Sequence, residues 1–79
     1  MKISVTVTLK KDVLDPQGKV VEQTIKNMGS KYINNVRQGK YFEFELEEND
    51  KNKAEKIVSE ICEKLLANTV IEDYKINYR

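Results

Sequence analysis

Tyr32-Ile33-Asn34-Asn35-Val36-Arg37-Gln38-Gly39-Lys40-Tyr41-Phe42-Glu43-Phe44-Glu45-Leu46-Glu47 is the stretch on which the fold turns. Phe42, Phe44 and Leu46 alternate with Tyr41, Glu43, Glu45 and Glu47, the period-two pattern of a strand with one buried face. Residues 32–38 read as a second strand running into it. Gln38-Gly39-Lys40 lies between the two, and glycine there would supply the positive φ of a tight turn. The middle of the chain is therefore expected to be a hairpin, not a helical connection.

Working outward, residues 2–10 alternate strictly. Ile3, Val5, Val7 and Leu9 share one face and Ser4, Thr6 and Thr8 the other, so this is a β-branched strand buried on one side. Asp15-Pro16 starts a helix: aspartate can accept a backbone N–H from Gln17 or Gly18, and proline loses nothing at the first helical position. Val21, Thr24, Ile25 and Met28 recur at helical spacing, and Gly29 is a natural left-handed stop. Gly18 is unusual so early in a helix. It reads either as a tolerated glycine or as the mark of close backbone approach by a partner, and both readings stay open.

On the other side, Asn49 or Asp50 caps a second helix whose apolar stripe is Ala54, Ile57, Val58, Ile61 and Leu65. Asn68 is placed to end it in left-handed conformation. Val70-Ile71, then Tyr74, Ile76 and Tyr78 alternating with Lys75 and Asn77, form a last strand. The order is β-α-β-β-α-β. That is an α+β, ferredoxin-like arrangement, an antiparallel sheet with two helices on one face. Residues 1–79 form one domain.

A chain of 79 residues buries only about 60% of the surface it exposes unfolded. Such domains need a supplement, and here one cysteine and no histidine exclude an internal disulfide and a four-ligand structural zinc. Oligomerisation is what remains. A homodimer or larger assembly is expected, with the last strand at a sheet edge open to pairing. Fourteen basic residues against 13 acidic leave no basic footprint for nucleic acid. No stretch approaches the ~20 apolar residues of a membrane span, and no signal-peptide pattern is seen. The expectation is a soluble cytoplasmic protein with a reduced thiol.

No nucleophile–base pair or glycine-rich phosphate loop is present. Glu43, Glu45 and Glu47 lie on a strand's solvent face, and Glu55, Glu60 and Glu63 on helix surfaces. Cys62 falls toward the C-terminal half of its helix, where the dipole opposes a thiolate, so it reads as a packing residue. Phe42 and Phe44 resemble base-stacking aromatics only superficially, because their face should be core and Glu43 and Glu45 would repel phosphates. Catalytic, cofactor-binding and metal-ligating residues are all expected to be absent.

The most specific sequence sits at element ends. The Leu9-Lys10 strand end, Val13-Leu14-Asp15-Pro16-Gln17-Gly18, Val36-Arg37-Gln38-Gly39-Lys40 and the stretch from Leu65 to Tyr74 together resemble the PurS subunit of phosphoribosylformylglycinamidine synthase, in order and spacing along nearly the whole chain. Thr69 stands where that family usually has proline. The resemblance implies a non-catalytic small subunit in de novo purine biosynthesis. It would join a glutaminase subunit, PurQ, to a synthetase subunit, PurL, that uses ATP and Mg. It would also assist ammonia transfer as formylglycinamide ribonucleotide becomes formylglycinamidine ribonucleotide. Asp15, Gln17, Gly18, Arg37, Gly39, Lys40, Asn68 and Tyr74 would be its interface residues. The rival readings are a small regulatory module that binds an amino acid at a dimer interface, and a small nucleic-acid binder.

Overall fold

β1 (Lys2–Leu9) is the spine of the molecule. In the computed structural model, which describes residues 1–79, it lies between β2 (Gly39–Glu45) and β3 (Glu72–Tyr78), giving a three-stranded antiparallel sheet of order β2-β1-β3. Register follows from side-chain alternation. Ile3 stands opposite Phe44 and Tyr78, Val5 opposite Phe42 and Ile76, and Val7 opposite Lys40 and Tyr74. A slip of one residue would turn all of these outward.

α2 (Lys51–Ile61) covers that apolar face. Asp50 caps it, its Oδ1 accepting the Asn52 N–H at 2.9 Å. Ala54, Val58 and Cys62 point inward and are fully buried. Val58 and Cys62 join Ile3, Val5, Val7 and Ala67 in one core. Each such aliphatic side chain contributes about 1.5–3 kcal/mol when fully buried. The expected end of this helix at Asn68 is corrected. After Ile61 the chain makes one π-helical turn, Cys62–Leu66, closed by the Ala67 N–H bonding the Cys62 carbonyl at 2.8 Å. That i→i+5 bond holds Cys62 and Ala67 together against the sheet. Asn68 has no positive φ.

Cys62 thus packs as the sequence suggests. Burial raises its thiol pKa, and the nearby Glu63 charge adds to the effect. A thiol reagent should leave native Cys62 unmodified and react at once after unfolding. Modification of the native chain at the unfolded rate would show that the core opens at Cys62.

The hairpin expectation is also corrected. Residues 32–38 form no strand, and Gly39 is the first residue of β2, without positive φ. The reason lies in where the N–H groups go. Val36 N–H donates to Glu22 Oε1 at 3.1 Å, and Gln38 N–H to Asp15 Oδ2 at 2.7 Å. Two carboxylates thus take the place of a strand partner, and Asn35, at φ 58°, breaks the extended run. The α+β class and the antiparallel sheet stand. The arrangement is consistent with a ferredoxin-like fold in which one of the two middle strands is not formed.

α1 (Pro16–Asn27) begins at the Asp15 cap, as the sequence indicates. It ends in a Schellman motif: Gly29, at φ 109°, bonds back to Lys26, and the Ser30 N–H bonds to the Ile25 carbonyl. The expected burial of its apolar stripe is not found. No α1 residue enters the core, and Val20, Val21 and Met28 are exposed. Of the two helices expected on one face, α2 alone supplies the cover. The molecule is accordingly long, 49 × 24 × 15 Å, with a radius of gyration of 16.0 Å. A compact domain of this length would have about 12 Å.

Candidate functional site

Four segments remote in sequence meet at one end of the sheet. Leu9 ends β1, Asp15 and Gln17 open α1, Gln38, Gly39 and Lys40 enter β2, and Glu72 begins β3. They line a cleft of about 280 Å³. Asp15, Gln17, Gly39 and Lys40, all expected at an interface, therefore share one site.

Asp15 is its hub. The side chain is buried, and both carboxylate oxygens are used: Oδ1 accepts the Gly18 N–H at 2.8 Å and Oδ2 the Gln38 N–H at 2.7 Å. The Gln38 bond, then the Gly18 bond, holds the carboxyl below its ordinary pKa, with the Arg37 charge adding to the effect. Glu22 is lowered likewise, first by the Val36 N–H and then by Lys26 at 3.3 Å. Two α1 carboxylates therefore pin the segment that leads into β2.

Both glycines are required by close approach within the chain. A Cβ on Gly18 would collide with the Val36 carbonyl oxygen and lie 2.9 Å from Asp15 Oδ2. A Cβ on Gly39 would lie 2.6 Å from the Val7 carbonyl oxygen. Gly18 thus marks a close backbone approach, and the backbone it meets within the chain is its own loop at Val36.

The remaining expected residues divide. Arg37 is exposed, and its Nη2 donates to the Lys10 carbonyl at 2.9 Å, tying the loop to the end of β1. Lys40 Nζ reaches the Leu66 carbonyl at 3.2 Å and Glu72 Oε2 at 3.4 Å. Glu72 Oε1 in turn accepts the Asn68 N–H at 2.7 Å. Asn68 shapes the turn into β3, its Oδ1 accepting the Val70 N–H and its carbonyl the Glu72 N–H. Tyr74 is not brought to the cleft. It lies beneath the α2 side of β3, its hydroxyl donating to Glu63 at 3.2 Å. Burial, then the Glu63 bond, raises its pKa.

Sequence reasoning named neither Gln38 nor Glu72 as site residues, though both fall inside segments it singled out. Alternation could mark Glu72 only as a strand-start residue. Its bonds to Lys40 and Asn68 depend on β3 returning beside β1. The cleft holds amides, one ammonium and two satisfied carboxylates. That chemistry recognises polar groups; a nucleophile with an adjacent base is not part of it.

Comparison with known proteins bears on the family of the chain. The family profile described as "PurS: Phosphoribosylformylglycinamidine (FGAM) synthase" matches residues 2–79. The phosphoribosylformylglycinamidine synthase subunit PurS of Bacillus subtilis is 49% identical over 74 residues, covering 94% of this chain and 87% of that protein. A crystal structure of Bacillus subtilis PurS superposes with a TM-score of 0.88 at 47% identity, over 96% of this chain and 94% of that one. A chain in the structure of PurLQS from Thermotoga maritima gives a TM-score of 0.86 at 33% identity, over 96% of this chain and 93% of that chain. With the profile spanning all but the first residue, this chain belongs to the PurS family.

Proposed function

We propose that this chain is the non-catalytic small subunit of a phosphoribosylformylglycinamidine synthase complex in purine biosynthesis. The observation that carries the reading is family membership over residues 2–79, joined to the likeness to a chain of the three-part PurLQS assembly. In this reading it joins a PurQ glutaminase to a PurL synthetase in the cytoplasm. ATP and Mg are used by the synthetase subunit, and this chain binds neither. Its contribution is positional. Ammonia released at one site must reach another without loss to water, and a subunit that holds the two together and screens the route serves that need. The corner around Asp15, Arg37 and Lys40 is the proposed docking end. It is polar and rigidly braced.

Reconstitution tests this. The chain alone should hydrolyse no glutamine and consume no ATP. Added to the glutaminase and synthetase subunits, it should raise glutamine-dependent synthesis far more than ammonia-dependent synthesis. Equal glutamine-dependent rates with and without it would overturn the reading. Arg37→Ala probes the docking end. Its one internal bond is exposed, so the isolated chain should lose no more than about 1 kcal/mol of stability. Assembly should lose about 2–5 kcal/mol if the guanidinium meets a buried partner group. Unchanged assembly would place docking elsewhere on the chain.

A further inference from the structure

The cleft at the Asp15 corner keeps hydrogen-bonding capacity that the fold does not use. Gln17 and Gln38 both line it, and the carboxamide of neither bonds another group of the chain. Gln17 belongs to the first turn of α1, so the electropositive end of that helix borders the same space. Lys40 and Glu72 form a long ion pair at 3.4 Å, with the Lys40 side chain 51% exposed. A pair so exposed contributes little to stability and is readily exchanged.

The lining carries two carboxylates, Asp15 and Glu72, and one ammonium, Lys40. A simple anion is repelled by the carboxylates, and a simple cation by Lys40 and the end of α1. An apolar ligand finds only Leu9. The matching ligand bears both charges close together, with an uncharged polar arm. We propose that the cleft binds a free α-amino acid with such a side chain. The ligand's ammonium pairs with Glu72 and its carboxylate with Lys40, so two ion pairs replace the long one. The arm bonds the Gln17 and Gln38 carboxamides, which offer donors and acceptors alike. Each charged partner has the capacity. Glu72 Oε1 is taken by the Asn68 N–H, but Oε2 has only Lys40, and Lys40 Nζ has three N–H groups for the Leu66 carbonyl and Glu72. Size agrees: a cleft of about 280 Å³ holds about nine waters at about 30 Å³ each, the room of a ligand of about ten heavy atoms. Binding needs no partner subunit, and the amino acid is held and released unchanged.

Isotope-edited NMR of the full chain, titrated in turn with glutamine, alanine, glutamate and acetate, tests this. Glutamine should give saturable shifts at the Gln17, Gln38 and Lys40 amides, and at the Asn68 amide that Glu72 accepts at 2.7 Å. A dissociation constant of about 1 mM is expected for a ligand of this size. Alanine lacks the arm and glutamate adds a third carboxylate, so each should bind at least about 10-fold more weakly. Glu72→Gln should weaken glutamine binding by about the same factor. No saturable shift with glutamine at many times that concentration overturns the proposal. So does acetate or alanine binding as well as glutamine, or a set of shifts confined to other faces of the molecule. If Glu72→Gln does not fold, Q17A/Q38A decides, because it removes both carboxamides and leaves the Gln38 N–H bond to Asp15 in place. Glutamine binding undiminished in that variant also overturns the proposal.

Discussion

Gly18→Ala should destabilise the chain by about 2–3 kcal/mol, although alanine is the better helix former. Propensity alone predicts a gain of up to about 1 kcal/mol for this change inside a helix. The structure reverses the sign. The added Cβ meets the Val36 carbonyl oxygen and Asp15 Oδ2, and both are fixed by the hydrogen bonds that pin the loop. Overpacking of this kind costs about 1–3 kcal/mol. That is a large part of the roughly 4–12 kcal/mol expected for a domain this size. Denaturant midpoints for the two chains, at equal m-value, measure it. A stabilised alanine variant would mean that the α1–loop contact is looser than described.

Asp15→Ala removes two bonds at once and leaves the Gln38 N–H without its partner. Losing one capping bond lowers the thermal midpoint of a small domain by roughly 4–8 °C. The expected loss here is larger, roughly 10 °C or more by the same scale. Asparagine at the same position keeps one acceptor and should fall between. The pH dependence identifies the charge. The Gln38 N–H bond, then the Gly18 N–H bond, lowers the folded-state pKa of Asp15 from its ordinary carboxylate value. Its contribution is therefore complete above the unfolded value and is lost as pH falls through the folded one. Melting the unaltered chain and the Asp15→Asn variant from pH 6 to pH 2 should show their difference shrinking below about pH 4. A difference constant with pH would mean that the carboxylate's charge is not what holds the loop.

What could be read from the sequence was what period and capping chemistry encode. The alternation of Ile3, Val5 and Val7, the Asp15-Pro16 start, the Gly29 stop and the packing role of Cys62 all depend on near neighbours. Residues 32–38 misled because extended backbone looks alike whether its N–H groups face a strand or a pair of carboxylates. That distinction depends on Glu22 and Asp15, which lie 14 and 23 residues away from the groups they bind. Asn68 misled for a related reason. The π-helical turn changes the helix's phase before its end, and no residue type announces such a turn. At the candidate site, the resemblance pointed to segments that the fold brings to one corner, and what it did not convey is that Asp15, Gly18 and Gly39 also brace the chain internally there.

The position of β1 sets an order of events during synthesis. It is the central strand of the sheet and also the earliest made, and both of its neighbours come later. Ile3 must wait for Phe44 on one side and Tyr78 on the other. A nascent chain that has reached α2 can form a two-stranded ribbon and no more, and such ribbons are marginal in water. Completion of the sheet therefore comes after translation of β3, in a step dominated by non-local pairing. Folding should be slow for a chain of this size, with β1 open to wrong partners in the interval.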